Sequence, residues 1–313
     1  MKLGRFLIVF VSILGSVQML SQDYDLVDAT IQLYPTSVDN AAELSKFITR
    51  DFSSEEDKVR AIYGWLINNV SYDPEEYKIF DYSFATYKEY NKKEAKTREK
   101  IIKRTLQKGI AVCEGYAMVF ERLCELQGIR NHLVRGDTKT NFTDIGREFA
   151  NNHMWNAAKI NESYYLFDPT WGAGRYNGKF IKEPSYTYYK IDPEVLLKTH
   201  YPSMIDDAFT EVTMTRVEFS KIPLLLNNEL TLNSVIVPKL GIISTFDSDG
   251  KVAFIIKANP EKITFRTNGA QVEISEIERA DGKIKFKIPI ELGVETMLIY
   301  FDDAPALGYK IKW

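Results

Sequence analysis

Cys113-Glu114-Gly115-Tyr116-Ala117-Met118-Val119-Phe120 opens a run with helical spacing. Cys113, Tyr116, Ala117, Phe120, Leu123 and Cys124 share one face, and Gly128 is placed to close a helix over 113–127. A thiol on the first residue of a helix sits where about half a positive charge collects, which favours the thiolate. Downstream come Asn152-His153-Met154-Trp155-Asn156 and then Leu166-Phe167-Asp168-Pro169-Thr170-Trp171. Cys, His and Asp in that order can supply a nucleophile, a general base and the group that orients the base. The catalytic candidates are therefore Cys113, His153 and Asp168, and the chemistry they predict is acyl transfer at a cysteine.

Residues 152–160 and 164–170 read as two strands joined through 161–163. A two-residue turn at Asn161-Glu162 sets Trp155 opposite Asp168. His153 points to the same side as Trp155 and then lies diagonal to Asp168, within side-chain reach. A three-residue turn puts Asp168 on the other face, and the spacing leaves both open. For a developing oxyanion the first donor is the Cys113 backbone N–H, free at a helix start. Gln107 or a backbone amide near Trp171 could add a second. Taken singly, a helical Cys is usually core, a His beside Trp usually structural, and an Asp before Pro usually a turn residue. Their joint order is what packing alone rarely produces.

Residues 39–50 and 54–69 carry helical apolar spacing, the second with Val59, Ile62, Tyr63, Leu66 and Ile67 as a stripe and Ser53 with Glu56 as a capping box. The Lys- and Arg-rich run 88–108, interleaved with Glu89, Glu94 and Glu99, reads as a solvated helix face in preference to a docking patch. His132-Leu133-Val134 lies in a short strand, and 171–178 reads as a glycine-bearing loop beside the site. Helices are expected near 192–198 and 216–220. After Pro223 the character changes: alternating runs at 252–257, 262–266, 283–288 and 296–301, separated by Asp249-Gly250, Asn268-Gly269 and Asp281-Gly282, predict a small antiparallel sandwich.

The chain has 313 residues, which favours two domains, and its 45% hydrophobic content suffices for a real core. A net charge of −3 gives no sign of a nucleic-acid partner. Lys2 and Arg5 precede the apolar run 6–14, which falls short of the roughly 20 residues a membrane span needs. Residues 1–21 thus read as a secretory signal, cleaved near Ser21-Gln22, leaving no stable membrane span. Cys113 and Cys124 lie roughly 16 Å apart along a helix, too far to pair. Three His, two Cys and no paired ligand spacing predict no metal, and no glycine-rich phosphate loop predicts a nucleotide cofactor; the cofactor expectation is none.

The segments 109–117, 152–156 and 166–172 resemble the three active-site motifs of the transglutaminase-like superfamily. The match implies Cys113 as nucleophile, His153 as base and Asp168 as orienting acid. Within the superfamily the chain is most similar to the kyphoscoliosis-peptidase-like group, through Ala61-Ile62-Tyr63-Gly64-Trp65-Leu66, Ser71-Tyr72-Asp73, Asp192-Pro193-Glu194, His200-Tyr201-Pro202 and Val217-Glu218-Phe219. The resemblance covers about 40–223. Where the group often carries a Trp-Gln-Leu-Leu-like stretch, this chain reads Asp207-Ala208-Phe209-Thr210-Glu211-Val212. It also lacks the acidic calcium-binding insertions of animal transglutaminases, so calcium activation is not implied.

The expectation is an α+β protein: a signal at 1–21, a papain-like, transglutaminase-like catalytic core at 22–225 with the Cys helix packed on an antiparallel sheet, and a C-terminal antiparallel β-sandwich-like domain at 226–313. The expected function is that of an exported enzyme, secreted, periplasmic or at the cell surface. It attacks amide bonds of a protein or peptide substrate through a thioester, with hydrolysis placed ahead of transglutamination. The alternative is a non-catalytic scaffold for protein–protein binding. Oligomeric state is not legible.

Overall fold

The computed structural model describes residues 24–78 and 87–313, with the side chains of 87–93 excepted. The segment 1–21, read above as a secretory signal, lies outside the described residues. Helices α1 (Asp25–Ile31), α2 (Ala41–Asp51) and α3 (Glu55–Asn69) open the chain. The cap of α3 is Ser54, whose hydroxyl accepts the Asp57 N–H at 3.0 Å, and not the expected Ser53. Glu56 is unavailable for a capping box because its carboxylate turns inward to the Tyr24 hydroxyl at 2.5 Å and Lys190 Nζ at 3.0 Å. The expected stripe of α3 is fully buried, and so are Ala61 and Trp65, so this helix is covered on most of its circumference.

Strand β1 (Ser71–Tyr72) pairs in parallel with β2 (Ile110–Ala111). Between them runs α4 (Tyr87–Lys108), whose Ile101, Ile102 and Leu106 are buried while Glu94, Lys100 and Lys103 face outward. Next come α5 (Cys113–Leu126), β3 (Asn131–Thr138), β4 (His153–Ile160), β5 (Ser163–Phe167) and α6 (Pro169–Ala173). They are followed by β6 (Gly174–Asn177), β7 (Lys179–Lys182), β8 (Tyr189–Ile191), α7 (Pro193–Leu197), β9 (His200–Pro202) and α8 (Arg216–Lys221). Among the described residues β8-β5-β4-β3-β9 form one antiparallel sheet. Helix α5 packs across β3 and β4, and its Tyr116, Phe120 and Leu123 join Tyr63, Trp65 and Leu66 of α3 in one buried cluster. Each such side chain removed from water contributes about 1.5–3 kcal/mol.

Two expectations are corrected here. The strand holding His132 is longer than the three residues read from the sequence, because Arg135 to Thr138 continue the pairing to β4 and β9. The stretch 171–178 is not a loop: α6 occupies its start, and β6 pairs with β7 across a turn at Gly178, which has φ +69. Glycine meets that left-handed conformation at little cost.

The remaining strands are β10 (Leu224–Leu225), β11 (Val235–Val237), β12 (Ile242–Ile243), β13 (Lys251–Ile256) and β14 (Ile263–Arg266). Then follow β15 (Val272–Glu273), β16 (Glu278–Ala280), β17 (Lys283–Pro289), β18 (Thr296–Phe301) and β19 (Ala304–Ile311). One sheet runs β10-β19-β18-β14-β15 with β12 also on β19; the other runs β11-β13-β17-β16. Their inner faces share one apolar cluster, with the Phe254 and Tyr309 rings 5.5 Å apart across it. The alternating runs expected after Pro223 are therefore a two-sheet sandwich. Strand β19, which the sequence reading did not mark, is its centre.

Two buried lysines of the first part hold the connection between the parts. Lys139 Nζ donates to the carbonyls of Phe219 at 2.6 Å and Ile222 at 2.9 Å. Lys198 Nζ donates to those of Asn227, Asn228 and Leu230, at 2.9–3.1 Å.

Candidate active site

Cys113 is the first residue of α5 and is only 2% exposed. His153 is the first residue of β4, and Asp168 follows β5 directly. The turn between these strands is Asn161-Glu162, with φ of 47 and 69, and it closes Ile160 against Ser163. Two positive φ values belong to the tight hairpin turn whose twist matches the strands. Asn156 consequently pairs with Phe167, the register of the two-residue turn. It brings His153 Nε2–H to Asp168 Oδ2 at 2.6 Å.

Asp168 also caps α6. Its Oδ1 accepts the backbone N–H groups of Thr170 at 2.9 Å and Trp171 at 3.1 Å. Gly172 completes the turn; the Tyr63 hydroxyl lies so near that a Cβ has no room there. That hydroxyl donates to the Asp168 carbonyl at 3.4 Å.

The electrostatics separate the charges. Burial raises the Asp168 carboxyl, but His153 and His200 more than offset it and hold the group well below the usual carboxylate range. Burial disfavours the His153 cation, yet the charge and hydrogen bond of Asp168, with the interaction of the ring with Cys113, push its pKa up to about 10. The thiol therefore stands beside one edge of an imidazole whose other nitrogen is bound to a carboxylate.

Three residues at the site were not found from the sequence. His200 on β9 sends its Nε2 to the same Asp168 Oδ2, at 3.1 Å. Tyr77 places its hydroxyl 3.3 Å from the Cys113 sulfur, and Glu114 Oε2 lies 3.2 Å from it. Adjacency could have flagged Glu114; nothing local marks Tyr77. The Gln107 amide turns to Asp39 Oδ1 at 3.4 Å, and the Trp171 N–H is spent on Asp168.

His153, Asp168 and His200 are the group among the described residues whose ligand atoms converge closely enough to suggest a metal. The donor chemistry does not fit one. Both imidazoles aim at a single carboxylate oxygen, and 2.6 Å from His153 Nε2 is the length of a charge-assisted hydrogen bond. Two ligands about 2.0–2.1 Å from a tetrahedral zinc ion stand farther apart. Cys124, as expected, is fully buried, and its thiol pKa is driven upward by burial.

A cleft of about 540 Å³ opens over His153. Tyr72, Tyr77, Trp171, Tyr176, Phe180 and Tyr188 give it aromatic walls, and Thr138, Thr140, Asn152, Thr170 and Arg175 give it polar ones. Thr170 Oγ1 is buried there without a hydrogen-bond partner. A wider groove along 201–218 holds none of Cys113, His153 and Asp168.

Residues 42–169, a span that includes Cys113, His153 and Asp168, match the family described as the transglutaminase-like superfamily. These residues belong to the transglutaminase-like superfamily. Human kyphoscoliosis peptidase is 26% identical over 199 residues, covering 61% of this chain and 27% of that protein. The mouse protein of the same name is 28% identical over 165 residues, covering 51% of this chain and 23% of its own. The chain thus spans about a quarter of the length of these curated relatives. A solved structure of a candidate cysteine protease from Cytophaga hutchinsonii aligns over 49% of this chain and 45% of its own at 19% identity, with a TM-score of 0.27, too loose to support an argument. Among the described residues no helix is long and apolar enough to cross a membrane.

Proposed function

We propose that the transglutaminase-like core is that of an exported cysteine enzyme, with Cys113 as nucleophile, His153 as base and Asp168 as orienting acid. The observation that carries the reading is the buried His153, bonded to Asp168 on one side and set beside the Cys113 thiol on the other. The Cys113 thiolate attacks an amide carbonyl carbon of a protein or peptide held in the aromatic cleft. The oxyanion develops next to the Cys113 N–H, which has no intrahelical partner at its position. The His153 imidazolium gives its proton to the leaving amine as the C–N bond breaks, and a thioester remains. Neutral His153 then takes a proton from water, the hydroxide oxygen bonds to the carbonyl carbon, and the thiolate departs with imidazolium restored. An amine in place of water gives transglutamination. Hydrolysis stands first because water needs no binding site of its own, whereas an acceptor amine does.

One observation favours the alternative of a binding scaffold. The Glu114 carboxylate at 3.2 Å opposes a negative sulfur. Alkylation decides between the readings. In the enzyme, iodoacetamide labels Cys113 rapidly at pH 6, leaves Cys124 untouched, and a peptide library cleaved by the native chain is not cleaved by Cys113→Ala. Labelling of Cys113 that begins only in the alkaline range of a free thiol, with no Cys113-dependent turnover, establishes the scaffold.

A further inference from the structure

Asp168 Oδ2 accepts from two imidazoles at once, His153 Nε2 at 2.6 Å and His200 Nε2 at 3.1 Å. His200 is fully buried. Its ring sits against Trp171, with centroids 4.2 Å apart, and edge-on to Trp155 at 5.3 Å. Its other nitrogen, Nδ1, lies 2.8 Å from the Thr199 hydroxyl, which is closer than that hydroxyl's other partner, the Leu196 carbonyl at 3.3 Å. A nitrogen facing a carboxylate carries the hydrogen, so Nε2 donates to Asp168 and Nδ1 accepts from Thr199. One tautomer of one ring is thereby selected.

The ionisable groups facing His200 are Asp168, His153 and the Tyr188 phenol, whose ring centroid is 6.2 Å away. Burial pushes the His200 pKa down to about 4, and burial likewise raises the Tyr188 phenol, so both are neutral at ordinary pH. His200 thus brings Asp168 a hydrogen bond without a charge.

Such a donor matters most in one half of the cycle. While His153 is an imidazolium, Asp168 has a counter-charge. Once His153 has given its proton to a leaving group, Asp168 is a fully buried carboxylate with no cation beside it, a costly state unless hydrogen bonds satisfy it. Two backbone N–H groups hold Oδ1. We propose that His200 is a positioning residue that holds Asp168 Oδ2 ionised and aimed at His153 while His153 is neutral. It eases proton transfer to the leaving group without touching substrate. The inference rests on the triad reading above.

If so, removing the His200 donor penalises neutral His153 and raises its proton affinity. Ring-labelled nitrogen NMR of the full chain follows the His153 titration in the native protein, His200→Gln and His200→Leu. Gln can set an amide N–H near the position of Nε2; Leu fills the space without a donor. The expected result is an upward shift of about one pH unit in His200→Leu, the size of one charge-assisted hydrogen bond, and a return close to the native value in His200→Gln. A His153 midpoint unmoved or lowered by Leu, or moved as far by Gln as by Leu, overturns the proposal, since space-filling alone predicts no such difference. If His200→Leu does not fold, His200→Asn replaces it, because its amide is too short to reach Asp168. Cys113 alkylation in the native chain separates the two ideas. An unreactive Cys113 with an ordinary His153 titration defeats the triad, whereas a reactive Cys113 with no Leu-dependent shift defeats only the role of His200.

Discussion

The side-chain amide of Asn156 donates to the backbone carbonyl of Ala117 at 2.9 Å. Ala117 lies one helical turn beyond Cys113, and Asn156 lies on the strand that begins with His153. The bond therefore fixes the spacing between the element holding the thiol and the element holding the imidazole. Asn156 is fully buried, and its Oδ1 has no partner. Asn156→Asp replaces the donor with a carboxylate facing a carbonyl, and should cost about 3–5 kcal/mol as an uncompensated buried charge. Asn156→Leu removes both the donor and the orphaned oxygen, and should cost about 1 kcal/mol or less. Urea denaturation at pH 7 measures both. Equal stability of the Asp variant and the native chain would show that this contact does not exist.

Asp168→Asn should lower the His153 pKa from about 10, because burial then faces only the smaller raising effect of Cys113. His153 has a raised folded pKa, so its stabilisation is whole below about pH 6.5 and lost as pH rises through the folded value. Asp168 has a depressed one, so its stabilisation is present above about pH 4 and lost as pH falls. The native chain's stability advantage over Asp168→Asn should therefore be widest between about pH 4 and 6.5 and shrink toward pH 10. Turnover should fall about ten- to a hundredfold. Superimposable stability profiles of the two proteins would reduce Asp168 to a turn residue.

Glu114→Gln should speed Cys113 alkylation. The carboxylate 3.2 Å from the sulfur repels a thiolate, and the amide keeps the shape without the charge. About a threefold to tenfold gain at pH 6 is expected, corresponding to about 1 kcal/mol of relieved repulsion near a partly wet surface. A slower reaction in the variant would mean that Glu114 takes the thiol proton and helps activation.

Lys139 tests the connection to the sandwich. Burial lowers its pKa to about 7, with Asp144 acting weakly the other way. Between that value and about pH 10.4 the unfolded chain binds more protons at this residue than the folded one, so stability rises with pH across this window. Lys139→Met has no such titration. The stability of the native chain relative to the variant should climb between pH 7 and 10 by up to about 1.4 kcal/mol per pH unit. A flat difference curve would show that the carbonyls of Phe219 and Ile222 keep the ammonium fully charged.

The sequence carried the site as far as local rules reach. Helix α5 and the left-handed Gly128 just beyond its Gln127 cap follow from spacing, and the candidates Cys113, His153 and Asp168 follow from motif order. The hairpin register needed one fact that spacing leaves open, the choice of Asn161-Glu162 as a two-residue turn. His200 was out of reach because β9 joins the sheet at its far edge, beside β3, through a connection with no periodic signal. Strand β4 is buried on both faces from His153 to Ala158, so alternation could not tell which of its polar residues face the site. Strand β19 was missed for a similar reason: Ala306 to Tyr309 are buried in succession and show no period of two.

Strand β19 also sets an order of events during synthesis. The sheet that bears His153 and Asp168 is complete in sequence once residue 202 has left the ribosome. The sandwich must wait much longer, because Leu224 pairs with Gly308 and β18 with β19. Until 304–311 emerges, the apolar faces of β13, β14 and β17 have no finished partner sheet. Distant pairings of this kind form slowly and leave strand edges exposed meanwhile. The nascent chain thus completes the strands of its first sheet early and those of the sandwich only at the end.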